Sequence, residues 1–264
     1  MASAISPSIP ALVTGASSGL GEEFARQLAA RGHDVTLVAR REHRLEALAS
    51  ELRAAHRRRI HVVIADLETA RGRGTVARLL EERSPWLLVN NAGFGSHGPV
   101  AELDQRRELG EVQLNAVGVH QLSLAALPGL LAKGAGGIIN VASTAAFQPL
   151  PFMATYAATK AFVLAFTEAL AEELHGTGAR AMALCPGPVR TEFEAVAGVE
   201  DYFRLAGPMT VSAERCVATA LRAFDGGSPV CIPGWANAGL MQVERLAPRA
   251  VVRKVAARIF QPDR

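Results

Sequence analysis

The chain has 264 residues, of which 49% are hydrophobic and 20% charged, and its formal net charge is +3 at pH 7. This composition excludes a disordered or fibrous protein and suffices for one large α/β domain, although the length alone also permits two. The three scattered cysteines, Cys185, Cys216 and Cys231, form no close-spaced ligand cluster, which predicts reduced structural thiols and no metal site.

The first predicted strand, residues 11–14, runs into the glycine-rich stretch TGASSGLG and then into a helix over residues 19–31. Glycines in such a turn let backbone N–H groups approach a pyrophosphate at a helix N-terminus. The spacing G-x-x-x-G-x-G differs from the generic fingerprint, so the strand before it and the helix after it are needed for the interpretation. The residues that precede this strand lack the basic and apolar regions of a signal peptide, which predicts a cytoplasmic protein.

The second predicted strand, residues 34–39, ends in Ala39 and is followed by Arg40 and Arg41. Folds that prefer NAD place an acid near this point. A guanidinium is always charged and binds phosphate bidentately, so arginines here favour the 2′-phosphate of NADP over NAD. The alternative is that both arginines only begin a surface helix and pair with Glu42 and Glu46.

Further strands are predicted over 60–65, 86–90, 137–142, 180–184 and 229–232, and further helices over 42–55, 69–82, 103–131, 155–175 and 213–224. This alternation predicts a single doubly wound, Rossmann-type α/β domain over 1–264, with a seven-stranded parallel sheet of order 3-2-1-4-5-6-7 and helices on both faces. No stretch is expected to have the length and apolarity of a membrane span. The irregular segment over about 188–210 interrupts the alternation and is interpreted as a substrate lid.

The stretch TYAATKAF, residues 155–162, contains Tyr156 and Lys160 at i and i+4, on one face of a predicted helix. A lysine cation about 4 Å away supplies roughly the 4 kcal/mol that lowers a tyrosine pKa from about 10 to about 7. Taken alone, the spacing is more typical of an ordinary amphipathic helix.

In chain order, TGASSGLG, NNAG at 90–93, Asn115, NVAST with Ser143, YAATK and CPGPVRT resemble the short-chain dehydrogenase/reductase superfamily, over about residues 12–232. The resemblance implies an NADP(H)-dependent oxidoreductase that transfers a hydride between the nicotinamide and a ketone, aldehyde or alcohol. The alternative is a catalytically inactive NADP(H)-binding sensor or scaffold of the same fold.

The resemblance also implies a role for each matching residue. Tyr156 is the expected general acid or base, Lys160 lowers its pKa and binds the nicotinamide ribose, and Ser143 hydrogen-bonds the substrate oxygen. Asn115 is expected to hold a water that links Lys160 to solvent. The other implied cofactor contacts are the phosphate loop (Gly15, Ser17, Ser18, Gly19, Leu20), Arg40 at the 2′-phosphate, Asp66 at the adenine, Asn91, Ala92 and Gly93 near the adenosine ribose, and Pro186, Gly187, Val189 and Thr191 at the carboxamide.

Each of these residues also has a purely structural interpretation. Ser143 is a possible turn residue, Asp66 a possible helix cap, and Asn115 a polar interruption of a buried helix. Their positions after successive strands, where this fold binds ligands, favour the functional roles. Apolar residues flank the motifs and predict an apolar substrate: Phe94, Phe147, Leu150, Phe152, Met153, Phe193 and Tyr202.

The C-terminal segment over about 248–260 has a basic amphipathic pattern, with Arg249, Arg253, Lys254 and Arg258 opposite an apolar half. Packing on the protein itself or on a second subunit is the commoner use of such a helix, and peripheral contact with an anionic membrane is the alternative. The arginines at 53–59 complement the end of a helix, so no nucleic-acid partner is expected. Members of the resembled family are commonly dimers or tetramers, which predicts a homo-oligomer.

Overall fold

Alternation of apolar strands with helices produces one parallel sheet in the computed structural model, which describes residues 6–82, 86–199 and 207–262. The seven strands lie in the order β3-β2-β1-β4-β5-β6-β7, as predicted. Strand order therefore reverses between β1 and β4, the switch point at which such sheets bind ligands. The strands are β1 (Ala11–Thr14), β2 (Val35–Ala39), β3 (Ile60–Ile64), β4 (Leu87–Asn90), β5 (Gly137–Val141), β6 (Arg180–Leu184) and β7 (Val230–Cys231).

Helices cover both faces of the sheet. They are α1 (Gly19–Ala30), α2 (Glu42–His56), α3 (Ala70–Glu82), α4 (Gln105–Val112), α5 (Val119–Lys133), α6 (Ala154–Glu173), α7 (Phe193–Ala197), α8 (Ala213–Asp225), α9 (Trp235–Leu246) and α10 (Arg249–Ile259). The predicted continuous helix over 103–131 is instead divided by a π-helical segment, Gln113–Gly118, that joins α4 to α5. Helices α7 and α9 were not predicted.

The core consists of two apolar layers, one on each side of the sheet. Consecutive residues of a strand point to opposite faces, so Val13 packs in one layer with helices α1, α2 and α8. Its neighbour Leu12 packs in the other layer with α3, α5 and α6. Burial on both faces explains why the strands read as nearly continuous apolar runs rather than as alternating ones.

A buried polar network joins the centre of the sheet to the helices above it. Asn90 Nδ2 donates to Asn140 Oδ1 at 2.9 Å and to Ser123 Oγ at 3.2 Å. Asn140 Nδ2 in turn donates to Thr167 Oγ1 at 2.9 Å. The network ties β4 and β5 to α5 and α6, so Asn90 is a buried structural residue rather than a turn former.

The run Gln105–Lys133 is long and apolar enough, by length and composition alone, to cross a membrane. The expectation that no stretch meets this criterion is therefore wrong. In the fold, α5 buries Leu122, Ala126 and Leu130 within the second apolar layer. This is the position of a core helix in an α/β domain.

Candidate active site

The carboxyl ends of β1, β4, β5 and β6 surround a cavity of about 420 Å³. All sixteen of the predicted cofactor contacts and the predicted catalytic residue Ser143 line this cavity. The predicted catalytic residue Asn115 is the exception, because it is fully buried and is not among the lining residues. The fold thus brings together residues that are separated by up to 176 positions in the chain, from Gly15 to Thr191.

The glycine-rich loop is held against the loop that follows β4. Thr14 Oγ1 accepts hydrogen bonds from the backbone nitrogens of Asn91 at 2.9 Å and Ala92 at 3.0 Å. Asn91 Nδ2 donates back to the Thr14 carbonyl at 3.0 Å. A Cβ on Gly21 would lie 2.3 Å from the Gly15 carbonyl oxygen, so the unusual glycine spacing meets a steric requirement of this turn.

The two arginines after β2 have different surroundings from those expected. Arg40 points outward and pairs with Glu68 at 2.7 Å, with its side chain 60% exposed. Arg41 instead lies over the glycine-rich loop, where its Nε donates to Ser17 Oγ at 3.0 Å and its NH2 to Ser18 Oγ at 2.6 Å. Arg41 was missed as an individual contact residue, although the tandem arginines were a visible signal.

Arg41 also reaches across the cavity mouth. Its NH1 donates to Glu192 Oε2 at 2.7 Å, and Arg44 on α2 pairs with the same carboxylate. The two guanidinium groups lower the pKa of Glu192 to about 2. Glu192 comes immediately before α7, so these ion pairs connect the start of α2 to the predicted lid.

Asp66 lies in a local turn and lines the cavity, but it does not cap α3. Its Oδ1 accepts from the Glu68 backbone nitrogen at 3.1 Å. The residue immediately before α3 is Thr69, whose Oγ1 accepts from the Gly72 backbone nitrogen at 3.0 Å and so caps the helix. The structural role predicted for Asp66 is therefore filled by Thr69.

Tyr156 and Lys160 lie on the inward face of α6, with 9% and 4% of their surfaces exposed. Lys160 Nζ donates to the Val141 carbonyl at 2.8 Å and lies 5.7 Å from the centroid of the Tyr156 ring. Ser143 Oγ accepts from the Ala145 backbone nitrogen at 3.1 Å, so its predicted turn role is also present.

Burial is the largest influence on the protonation of this pair. It raises the pKa of Tyr156 above its usual range, against the hydrogen bond with Ser143, which lowers it. Burial lowers the pKa of Lys160 to about 8. The chain by itself thus favours a neutral phenol.

Asn115 is positioned by the π-helical segment, a feature that frequently marks functional sites. Its Nδ2 donates to the Phe94 carbonyl at 2.8 Å, and its Oδ1 accepts from the Phe94 backbone nitrogen at 3.1 Å. A Cβ on Gly93 would lie 2.9 Å from Asn115 Oδ1 and 3.4 Å from Lys160 Nζ. The absence of a side chain at Gly93 therefore allows the Asn115 and Lys160 side chains to come close together.

One end of the cavity is apolar. The ring of Phe193, in α7, lies 5.3 Å from the Tyr156 ring. The apolar side chains that line this end are Phe94, Leu150, Met153, Phe193, Val196, Val199 and Phe260. Phe147 and Phe152 are not among the lining residues, and Tyr202 lies outside the residues that the structure describes.

The predicted lid leaves and rejoins the fold at neighbouring points. Val189 and Val211 form an isolated parallel bridge, and between them the described part contains α7 and a 3₁₀ turn, Gly207–Met209. Residues 200–206 of the predicted lid lie outside the described part of the chain. The buried Asn237 of α9 connects this helix to the 3₁₀ turn, since its Nδ2 donates to the Met209 carbonyl at 3.0 Å.

The described residues contain no candidate metal site, and their cysteines are free thiols. No group of three or more His, Cys, Asp and Glu side chains within residues 6–82, 86–199 and 207–262 could hold a metal ion. Cys185, Cys216 and Cys231 are buried free thiols. Burial raises the pKa of Cys231 to about 11, which makes this thiol unreactive at neutral pH.

Comparison with known proteins adds an independent line of argument. The family model described as short chain dehydrogenase matches residues 10–200. A short chain dehydrogenase of Pseudocercospora fijiensis is 36% identical over 190 residues, which cover 70% of this chain and 61% of that protein. Sulfoacetaldehyde reductase 2 of Chromohalobacter salexigens is 38% identical over 189 residues, covering 70% of this chain and 74% of that protein.

The fold is similar to that of a solved structure over most of the chain. A short-chain dehydrogenase from Sphingobium yanoikuyae in complex with NADPH has a TM-score of 0.83 and 33% identity, covering 92% of this chain and 95% of that chain. The family match at residues 10–200 contains the glycine-rich loop, Asn115, Ser143, Tyr156 and Lys160. The chain therefore belongs to the short chain dehydrogenase family of nicotinamide-dependent oxidoreductases.

Proposed function

We propose that the protein is an NADP(H)-dependent oxidoreductase that transfers a hydride between the nicotinamide and an apolar ketone or aldehyde, or the corresponding alcohol. One observation carries the proposal: Ser143, Tyr156 and Lys160 line the same cavity as the glycine-rich loop at the switch point of the sheet. A titratable side chain and a dinucleotide site thus share one concave surface, as hydride transfer coupled to proton transfer requires.

The residues present fit a dinucleotide. Gly19 has a φ of +56°, and a Cβ there would lie 3.1 Å from the Thr191 side chain, so a glycine is needed at the start of α1. The N-terminus of α1 offers backbone N–H groups and a positive helix dipole to a pyrophosphate. Bound NADPH would supply the hydride.

Arg41 and Arg40 support the preference for NADP. Arg41 lies against Ser17 and Ser18, so a guanidinium and two hydroxyl groups are available for one phosphate. Arg40 pairs with Glu68 at the neighbouring edge of the cavity. We assign the 2′-phosphate chiefly to Arg41, with Arg40 as a second cation. Each guanidinium is also paired with a carboxylate, Arg41 with Glu192 and Arg40 with Glu68.

The chain's own residues would perform the proton chemistry. Tyr156 holds its proton at neutral pH because burial favours the neutral phenol, and in carbonyl reduction it would donate this proton to the substrate oxygen. Ser143 would donate a second hydrogen bond to the same oxygen. Lys160 would stabilise the phenolate that results, since an opposite charge nearby favours the charged form of a tyrosine.

Turnover of a carbonyl panel tests the proposal. Purified protein is supplied with NADPH or NADH and a series of ketones and aldehydes that range from small and charged to large and apolar. We expect NADPH oxidation that is fastest with apolar carbonyls. A folded protein that binds NADPH but reduces none of them would contradict the enzymatic assignment and favour the sensor or scaffold.

A further inference from the structure

The ion pair between Arg41 and Glu192 places a carboxylate on the guanidinium that we assign to the 2′-phosphate. Arg41 directs Nε to Ser17 Oγ at 3.0 Å and NH2 to Ser18 Oγ at 2.6 Å, both in the glycine-rich loop. Its third guanidinium nitrogen, NH1, donates to Glu192 Oε2 at 2.7 Å. All four residues line the cavity. Every nitrogen of this guanidinium therefore already has an acceptor.

A second guanidinium binds the same carboxylate from outside the cavity. Arg44 follows Arg41 by three residues, about one turn of α2, and its NH1 donates to the other oxygen of Glu192. The hydrogen bonds from Arg44 and Arg41 lower the pKa of Glu192 to about 2. Glu192 is therefore a full anion at neutral pH.

A carboxylate and a phosphate bind arginine in the same way, through oxygens that accept charge-assisted hydrogen bonds from the guanidinium fork. Two anions on one guanidinium repel each other. A phosphate that approaches Arg41 must therefore displace the Glu192 carboxylate or bind beside a like charge. Either route lowers the affinity of Arg41 for the phosphate.

The position of Glu192 allows such a displacement. The side chains of Arg41 and Glu192 are 38% and 44% exposed, and ion pairs between exposed side chains contribute little to stability. Arg44 can keep Glu192 when Arg41 leaves it, so the carboxylate need not lose both partners. The other end of α7 is held separately, because Arg107 NH2 donates to the Val196 carbonyl at 2.7 Å.

We propose that Glu192 competes with the 2′-phosphate of NADPH for Arg41 and so limits the preference for NADPH over NADH. NADPH exchanges the pair between Arg41 and Glu192 for a pair between Arg41 and the phosphate. NADH lacks this phosphate and leaves the ion pair intact. Glu192 is thus a specificity-determining residue that acts through Arg41. This inference rests on the proposed function, in which Arg41 binds the 2′-phosphate.

Two nucleotides without a nicotinamide test the competition directly. Adenosine 2′,5′-bisphosphate and adenosine 5′-monophosphate differ only in the 2′-phosphate, and calorimetry measures the affinity of the protein for each. We expect Glu192→Gln to bind the bisphosphate about two- to fivefold more tightly than wild type does, the value of one exposed ion pair. Its affinity for the monophosphate should not change. An unchanged or smaller ratio of the two affinities would overturn the inference.

A matched control removes the same charge from the same helix. Glu194 lies two residues after Glu192, within α7, and is not among the cavity-lining residues. Glu194→Gln should bind both nucleotides as wild type does. An equal gain in bisphosphate affinity in Glu194→Gln would overturn the inference, since it would show that any lost negative charge in this segment has the effect.

The Arg41→Ala background shows whether the competition takes place at Arg41. There the group for which the two anions compete is absent, so adding Glu192→Gln should no longer raise the ratio of bisphosphate to monophosphate affinity. A gain as large as in the wild-type background would overturn the inference. Glu192 would then act as a nearby negative charge and not as a competitor for this guanidinium.

Two results separate this inference from the proposed function. If wild type binds the bisphosphate no more tightly than the monophosphate, the proposed preference for NADP fails and the competition fails with it. If wild type prefers the bisphosphate and Glu192→Gln keeps the wild-type ratio, the competition is wrong and the proposed function stands. Thermal unfolding of Glu192→Gln controls for folding, and this near-isosteric change at an exposed position should leave the unfolding temperature close to that of wild type.

Discussion

At the scale of single residues, the protonation of Tyr156 and Lys160 depends mainly on their burial. Both groups are disfavoured in their charged forms, the pKa of the phenol being raised and that of the ammonium lowered to about 8. A neutral phenol is the form that donates a proton to a carbonyl. The surroundings of the pair therefore suit carbonyl reduction at neutral pH, and alcohol oxidation requires a further source of positive charge or a higher pH.

The raised pKa of Glu111 predicts that the free energy of unfolding depends on pH. The folded protein holds this proton between about pH 4.5 and about pH 7, where the unfolded chain has released it. The free energy of unfolding should therefore fall as pH rises through this window, by at most about 3 kcal/mol. Denaturant unfolding of wild type and Glu111→Gln at several pH values measures the slope, which the variant should lose. Equal slopes in the two proteins would show that Glu111 titrates normally.

The two arginines after β2 should differ in their contributions to cofactor affinity. Arg41→Ala removes the guanidinium that lies against Ser17 and Ser18, and we expect it to weaken NADPH binding by about 1.5–3 kcal/mol, the value of a hydrogen bond to a charged group. Arg40→Ala should cost less, since the Arg40 side chain is 60% exposed, against 38% for Arg41, and makes no hydrogen bond to Ser17 or Ser18. Fluorescence titration with NADPH and NADH checks this order. A larger loss for Arg40→Ala would reverse the assignment.

The hydrogen-bond partners of Arg40 and Arg41 could not be predicted from the sequence. Tandem arginines after β2 indicated a phosphate site, but which of the two faces the glycine-rich loop depends on how α2 begins relative to α1. The burial of Glu111 was also missed, because neither helical periodicity nor motif matching shows that a carboxyl is fully buried. By contrast, the sixteen predicted cofactor contacts all line one cavity, because parallel strands all end at one edge of the sheet.

At the scale of elements, the close packing of the glycine-rich turn predicts that a side chain at position 21 weakens cofactor binding. A Cβ at position 21 would lie 2.3 Å from the Gly15 carbonyl oxygen, whereas a Cβ at Gly74 in α3 meets nothing within 4 Å. Gly21→Ala should therefore displace the turn and weaken NADPH binding at least tenfold. Gly74→Ala, which tests helix content alone, should bind normally and be slightly more stable. Wild-type binding by Gly21→Ala would exclude the turn from the cofactor site.

Most strands and helices could be predicted to within a few residues because their apolar periodicity is regular. The π-helical segment around Asn115 could not, since it changes the hydrogen-bonding pattern without changing the composition. Helix α9 was missed although the apolar residues of WANAGLMQVERL recur with a helical period as clearly as those of α1, which was predicted. Its buried Asn237 bonds to the Met209 and Pro233 carbonyls, a tertiary role that the sequence does not indicate.

At the scale of the whole molecule, the two C-terminal helices leave a large apolar surface uncovered in the single chain. Trp235 is 87% and Leu246 is 88% exposed on α9. Helix α10 packs on the protein through Ala256, which is buried, and exposes a stripe of Val251, Val255 and Ile259. Its exposed cations are Arg249, Arg253, Lys254 and Arg258.

Peripheral contact with an anionic membrane remains a prediction for this surface. Membrane contact, the alternative for this segment, predicts that the full chain co-sediments with vesicles that contain anionic lipid at low salt and dissociates as salt is raised. A charge-reversed Arg253→Glu, Arg258→Glu variant should not sediment. Sedimentation of neither protein, together with a homodimer that the double variant disrupts, would assign the surface to a second copy of the chain.

The cytoplasmic location and the dimeric or tetrameric state also remain predictions. The central claim is that Tyr156 supplies the proton for NADPH-dependent carbonyl reduction. Its most direct test is the rate of NADPH oxidation by wild type and Tyr156→Phe with the best substrate of the carbonyl panel. We predict that Tyr156→Phe binds NADPH as wild type does and loses about 10² to 10⁴ in kcat. An unchanged kcat in Tyr156→Phe would contradict the account.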